Sequence, residues 1–283
     1  MPIQRDRLYA DVQYLTTLNP PRSIGYPDSL KKAAAYIEKQ FCKLSGRVSK
    51  QDLHQGFQNY ILSYGPTEGA RVIVGAHYDV CGDTPGADDN ASAVAGLLEL
   101  ARALHEEKPE VKHRIDFVAF NFEEPPYFAT EKMGSAVHAK SLKKDNVDVR
   151  LMICLEMIGY FTDKPNSQEF PHESLRSLYP STGNFIVVVG QKEQEKTVKR
   201  VQQLIQEHSR VDVQSIAAPP GLPGVSLSDH RNYWSQGYQA VMINDTSFLR
   251  NPHYHQKSDT IDKLDFGRMT EVVRGVYAAM LNF

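Results

Sequence analysis

The chain has 283 residues, of which 41% are hydrophobic and 23% charged, an ordinary balance that excludes a disordered polymer and supplies enough apolar side chain for a substantial core. Lys and Arg total 32 against 34 Asp and Glu, for a formal net charge of -2, and no stretch gathers enough basic residues to track a phosphate backbone, so nucleic acid is not an expected partner. No run approaches the ~20 apolar residues of a membrane span, and Met1 to Leu15 carries Arg5, Asp6, Arg7 and Asp11 where a signal peptide would be continuously apolar. Cys42, Cys81 and Cys154 are odd in number and far apart, which argues against a disulfide framework and leads us to expect a cytoplasmic protein.

Taken in chain order, short β-branched runs alternate with helix-period segments, the pattern of an α/β fold. Asp28 to Leu44 reads as an amphipathic helix through Leu30, Ala34, Ile37 and Phe41, with Asp28 as its N-cap. Strands are expected near 47–53 and 58–64, then at Arg71 to His77, with a helix from Asn90 to His105. A strand at Ile115 to Phe122, a helix near 131–143 and a strand at Leu151 to Met157 repeat the pattern. Val187 to Val189, a helix over 193–208, a strand near 240–243 and a final helix from Asp265 complete it. Residues 160–183 are polar, hold Pro165, Pro171 and Pro180, and are too long for a plain connection, so they are expected to form a wall beside a site. No linker divides the chain, and we read residues 1–283 as one domain built on a mixed, mostly parallel central sheet flanked by helices.

Chemistry-bearing residues gather where the strands end, which is where open α/β sheets place ligands. His77-Tyr78-Asp79 closes one strand, Gly86-Ala87-Asp88-Asp89-Asn90 follows in its loop, Glu123-Glu124-Pro125-Pro126 closes the next strand, and Glu156 closes the third. Later come Ser228-Asp229-His230 and Tyr254-His255 with Asp259-Thr260. Each piece alone has a plainer explanation: His77 as a satisfied core residue, Asp88-Asp89 as a helix cap, Glu156 as half of a structural ion pair. Two adjacent carboxylates delivered by an apolar strand are harder to dismiss, because their repulsion has to be offset, and a cation is the simplest means. Successive strand residues face opposite ways, so both glutamates reach one site only if pairing stops, a stop we assign to Pro125. Mixed histidine and carboxylate donors suit zinc or a related divalent ion. Neither an H-E-x-x-H helix nor a G-x-S-x-G elbow is present.

The ordered set, from about Val72 to Asp262, resembles the zinc aminopeptidase family of the MH clan, which includes glutamate carboxypeptidase II and, more distantly, the glutaminyl cyclases. The resemblance implies a zinc exopeptidase-like fold and two zinc ions. Asp89 would bridge them, with His77 and Glu156 completing one position and Glu124 and His255 the other. Glu123 would be the general base that takes a proton from the bridging water and returns it to the departing amine. Tyr254 would donate a hydrogen bond to the oxyanion, Asp79 would orient the His77 ring, Asp229 would contact substrate backbone or amine, and the peptide after Asp89 would be cis. Position 156 is Glu where better-known members have Asp, so occupancy of the His77/Glu156 position is the less certain. The substrate would be a peptide with a free amino terminus. A one-zinc glutaminyl cyclase, a carboxypeptidase and a non-catalytic binding module on the same fold remain open alternatives. Cys81 is read as a free thiol rather than a ligand, and oligomeric state is not legible.

Overall fold

The computed structural model describes residues 2–283. In it the chain builds an eight-stranded mixed sheet in the order β1-β2-β4-β3-β5-β8-β6-β7. The strands are β1 (Arg47–Asp52), β2 (Gln58–Tyr64), β3 (Arg71–His77), β4 (Arg114–Phe120), β5 (Val149–Glu156), β6 (Phe185–Gln191), β7 (Asp212–Ala218) and β8 (Ala240–Asn244). β4, β3, β5 and β8 run parallel to one another at the centre, whereas β1/β2, β2/β4 and β6/β8 pair antiparallel. The expected α/β class and mixed sheet are therefore observed. β7, parallel to β6 at the edge, escaped the sequence reading because Asp212, Gln214 and Ser215 dilute its apolar signal.

Among the described residues, seven helices flank the sheet: α1 (Arg5–Thr16), α2 (Pro27–Phe41), α3 (Ala93–Glu107), α4 (Gly134–Lys144), α5 (Glu195–Gln206), α6 (His230–Ser235) and α7 (Phe266–Asn282). One face carries α1, α2, α3, α5 and α7 through a core that includes Leu8, Leu30, Leu97, Val201 and Val276. The other packs α4 and α6 through Ala139, Leu142 and Tyr233 against Ile73, Val118 and Met152. A strand with both faces covered reads as a continuous apolar run, which is why Val72-Ile73-Val74 was visible in sequence.

Two helix starts differ from expectation. α2 begins at Pro27 with Tyr26 outside it, because proline at the first helical position needs no N–H partner, and Asp28 lies in the first turn instead of capping it. α3 begins at Ala93, not Asn90, because Asp89 and Asn90 hold non-helical angles (φ -100°, ψ 90° and φ -133°, ψ 34°) within a wide turn over Ala87–Ser92.

Candidate active site

The parallel strands deliver the site. His77 is the last residue of β3 and Glu156 the last of β5, and these strands are hydrogen-bonded neighbours. The turn at 86–92 crosses above them and is tied down residue by residue. Asn90 accepts from the Met157 N–H at 2.9 Å, Ser92 Oγ from the Ile158 N–H at 3.0 Å, and Asp88 from the Gly159 N–H at 3.0 Å. The Asp259 carboxylate accepts from the N–H groups of Asp88 at 2.9 Å and Asp89 at 3.1 Å. Gly86 starts the turn at φ +61°, and a Cβ there would fall 2.3 Å from the Asp89 carbonyl oxygen, so only glycine fits. The Asp89–Asn90 peptide is cis.

Behind this turn lies Arg22, fully buried, which no sequence pattern singled out. Its guanidinium donates to the carbonyls of Tyr78 (3.0 Å), Leu15 (3.2 Å), Pro85 (2.6 Å) and Gly86 (2.6 Å). Burial lowers its pKa to about 10, opposed by the charges of Asp259, Asp89, Asp79 and Glu124. It remains cationic at neutral pH, a fixed positive charge on the inner side of an acidic cluster.

Glu123 and Glu124 follow β4, whose pairing ends at Phe120. The left-handed backbone of Phe122 (φ +64°) makes the break, three residues before the proline to which we had assigned it. Asp79 then accepts from the N–H groups of Glu123 (3.3 Å) and Glu124 (3.1 Å). His77 Nδ1 stands 3.2 Å from the Asp79 carbonyl and 3.5 Å from its carboxylate. Asp79 thus adjoins the imidazole while holding the backbone of both glutamates.

The donor atoms converge on Asp89. Its Oδ1 lies 3.4 Å from His77 Nε2, which is in turn 3.3 Å from Glu156 Oε2. Its Oδ2 lies 3.1 Å from His255 Nε2, which is 3.3 Å from Glu124 Oε2. One carboxylate therefore faces two separate donor groups. Glu123 Oε2 is 3.8 Å from His77 Nε2. Ser228 Oγ donates to Glu156 at 2.6 Å, a contact that sequence quoted without a role. Tyr254 stacks on His255 with ring centroids 3.9 Å apart. Asp229 is fully buried, neither carboxylate oxygen makes a hydrogen bond of ordinary geometry, and it is not among the residues lining the cleft.

Electrostatics mark the cluster as unfinished with protein atoms alone. Burial raises the pKa of Glu123 well above the usual carboxylate range; His77 opposes this, and Glu124, Glu156 and Asp229 add to it. Burial and Asp89 push Glu124 up to about 7. Burial also raises Asp229, to about 7, against the opposing His77 and Ser135. For Asp89, burial is outweighed by the hydrogen bonds and charges of His255 and His77, and its pKa falls. His255 rises to about 10, because its carboxylate partners outweigh burial.

Whether a metal fits is decided by the geometry. Buried His77 Nε2 and Glu124 Oε1 have no hydrogen-bond partner, so these atoms aim at something other than each other. Zinc binds nitrogen and oxygen at ~2.0–2.2 Å, and a tetrahedron of that radius has edges of about 3.3–3.6 Å. The observed separations of 3.1–3.4 Å are close to that edge. His77, Asp89 and Glu156 form one such group, and the donor set fits zinc.

The cluster opens onto a cleft. Asp89, Glu123, Glu124, Glu156, Tyr254 and His255 line its polar end. Phe170, Leu175 and Tyr179 from the 160–183 segment, Val187 and Val189 of β6, and Phe248 line the rest.

An eight-stranded α/β sheet with this cluster at its strand ends defines a zinc exopeptidase-like fold. Among solved structures it superimposes on LapB of Legionella pneumophila (TM-score 0.78, 21% identity, 99% of this chain and 72% of that one). A glutaminyl cyclase of Bacteroides thetaiotaomicron gives a TM-score of 0.73 at 18% identity, over 99% and 98% of the two chains. At these identities the likeness speaks for the fold alone. The chain belongs to peptidase family M28, whose sequence pattern matches residues 59–280. It is 43% identical to the uncharacterized protein YfbL of Escherichia coli K12, over 98% of this chain and 88% of that one. It is 28% identical to a probable leucine aminopeptidase 1 of Trichophyton verrucosum over 71% of its length, a match that spans about half (51%) of that relative.

Proposed function

We propose that this chain is a zinc-dependent aminopeptidase that releases N-terminal residues from peptides. The observation that carries the reading is the placement of the two Asp89 oxygens against separate His/Glu groups, with Glu123 beside them at the polar end of an apolar cleft. His77, Asp89 and Glu156 would hold one ion, and Asp89, Glu124 and His255 a second. Zinc, when bound, polarises the scissile carbonyl and makes water available as a nucleophile near neutral pH.

The chain's own residues supply the remaining steps. Glu123 stands 3.8 Å from His77 Nε2 at the polar end of the cleft, where its carboxylate is placed to accept a proton from the attacking water and pass it to the leaving amine. Tyr254, whose phenol is kept protonated by burial and by Asp89 and Glu124, donates to the oxygen that gains charge. The cleft beyond Glu123 is lined by Phe170, Leu175 and Phe248, which favour a large apolar side chain at the substrate N-terminus and exclude water from the reacting bond. Asp229, enclosed behind the lining, acts on the charge of the site and not by touching substrate. We keep the cytoplasmic setting, with which the three free thiols are compatible. Among the described residues no helix is long and apolar enough to cross a membrane.

The test is metal content together with hydrolysis of aminoacyl-nitroanilides by protein purified without chelator. Bound zinc with chelator-sensitive cleavage, fastest for leucyl or phenylalanyl substrates, is the expected result. Cyclisation of an N-terminal glutaminyl peptide without cleavage would overturn the reading.

A further inference from the structure

Two stretches of chain far apart in sequence line the apolar cleft, and a buried polar contact joins them. Phe170 belongs to the 160–183 segment, and Phe248 to the turn Ser247–Leu249 that follows β8. Two residues before Phe170, Gln168 is 2% exposed; two residues after Phe248, Arg250 is 6% exposed. Gln168 Oε1 accepts from Arg250 Nε at 2.9 Å, and Gln168 Nε2 donates to the Thr246 hydroxyl at 2.9 Å. Arginine has no acceptor, so only this orientation of the amide serves both partners. The backbones join as well, the Glu169 N–H donating to the Leu249 carbonyl at 2.8 Å. Arg250 is itself fixed by the Phe185 carbonyl, which accepts from Nη1 at 2.8 Å, and by the Phe185 ring, whose centroid lies 4.5 Å from the guanidinium. Gly183 leaves room for it: a Cβ there would fall 2.8 Å from Arg250 Cγ, Cδ and Nε. A second observation is independent of the Gln168 hydrogen bonds. Thr246 and Ser247 hold left-handed angles (φ +84° and +48°), which a β-branched residue adopts only where its surroundings impose them. Arg250 Nη2, moreover, is buried with no hydrogen-bond partner among the described residues. A strained turn anchored by an incompletely paired buried cation is a poor source of stability, so its use lies in where it places Phe248. The Phe248 ring in turn lies 5.8 Å, centroid to centroid, from that of Tyr254.

We propose that Gln168 and Arg250 are positioning residues for substrate selection: their contact fixes Phe170 and Phe248 relative to each other and so sets the preference for a long over a short apolar side chain at the substrate N-terminus. The inference rests on the aminopeptidase reading above and adds which residues set its selectivity. Arg250 does not line the cleft and acts through Gln168 and the turn. With the latch made, the two rings are held as fixed surfaces. With it broken, the turn is free to leave its left-handed angles, and Phe248, 43% exposed, moves with it. A long side chain then loses contact with the rings, whereas a single methyl group has little contact to lose.

The ratio of kcat/KM for leucyl- over alanyl-nitroanilide tests this, with zinc content and Tm measured on the same preparations of the whole chain. In Gln168→Leu, which keeps the bulk and removes both hydrogen bonds, the ratio should fall by roughly tenfold, mainly through a raised KM for the leucyl substrate, with zinc content unchanged. Arg250→Lys keeps the charge but cannot reach the Gln168 and Phe185 oxygens together, and should lower the ratio in the same way. Gln168→Glu should keep the wild-type ratio, because a carboxylate accepts from both Arg250 and the Thr246 hydroxyl. If Gln168→Leu or Arg250→Lys fails to fold, Thr246→Val, which removes only the hydroxyl, decides by lowering the ratio or leaving it. A wild-type ratio in the folded variants, or equal losses on both substrates, overturns the latch and leaves the aminopeptidase reading standing. Absence of chelator-sensitive cleavage of either substrate by the wild-type protein overturns both.

Discussion

The two sides of Asp89 are built differently. Toward Oδ1, His77 and Glu156 are the terminal residues of adjacent central strands, 1% and 5% exposed, and Glu156 is braced by Ser228. Toward Oδ2, His255 comes from a turn with its own left-handed backbone (φ +54°), its side chain is 28% exposed, and it stacks on Tyr254 at the cleft. The inner side takes its geometry from the sheet. The outer side takes it from loop contacts and faces the cleft. A site assembled this way can hold one set of donors rigid while the other adjusts to a ligand.

The sharpest way to break the comparison is Glu123→Gln, which removes the proton acceptor without touching either donor set. We expect kcat to fall by ~10²–10⁴ with zinc content unchanged, measured by nitroanilide cleavage and metal analysis. Loss of zinc in that variant would place Glu123 among the ligands instead. Tyr254→Phe acts on the outer side alone and should lower kcat by roughly 10²–10³ with little change in KM. An effect confined to KM would remove the oxyanion role. Ser228→Ala acts on the inner side alone: loss of its hydrogen bond to Glu156 should weaken zinc binding by about 10–100-fold at one position, read by competition with a chromogenic chelator. Equal weakening at both positions would show that the two sides do not act separately. Zinc at a hundredfold excess over its dissociation constant should stabilise the fold by about 2.7 kcal/mol per independent site, seen as a raised Tm that chelator reverses. As a control that removes no donor of either side, Asp265→Ala deletes the side-chain cap that accepts from the Arg268 N–H at 2.9 Å and should cost about 1 kcal/mol in urea unfolding with zinc affinity unchanged.

What was legible in the sequence follows from the same division. Central strands such as β3 and β5 announce themselves because both faces are buried, and the polar residues that end them stand out against the apolar run. That contrast marks His77, Glu123, Glu124 and Glu156 in the sequence, and the structure brings all four together with Asp89 and His255. Arg22 and Asn251 carry no such contrast, and Asp259 stands in the sequence motif without a role attached to it. Asn251 donates to Asp88 at 2.8 Å, and Asp259 and Arg22 hold the same turn, yet each acts across more than 60 residues of sequence on backbone or side-chain atoms that no periodicity encodes. β7 and α6 were missed for a related reason: an edge strand mixed with polar residues and a six-residue helix lack the period that reveals longer elements. The break before Glu123 was placed at Pro125 because proline is visible in sequence, whereas the positive φ of Phe122 is imposed by the fold.

Arg22 has a consequence for where this protein can be cut. It lies outside residues 59–280, the segment that the family pattern recognises, yet its guanidinium spans from the end of α1 to the turn that carries Asp89. A fragment begun at the family boundary would contain every candidate ligand and still lose the cation that sits behind them. Through the same bridge, ordering of the Asp89 turn by a bound ion should slow amide hydrogen exchange at the last turn of α1, so that occupancy of the site becomes readable at the amino terminus.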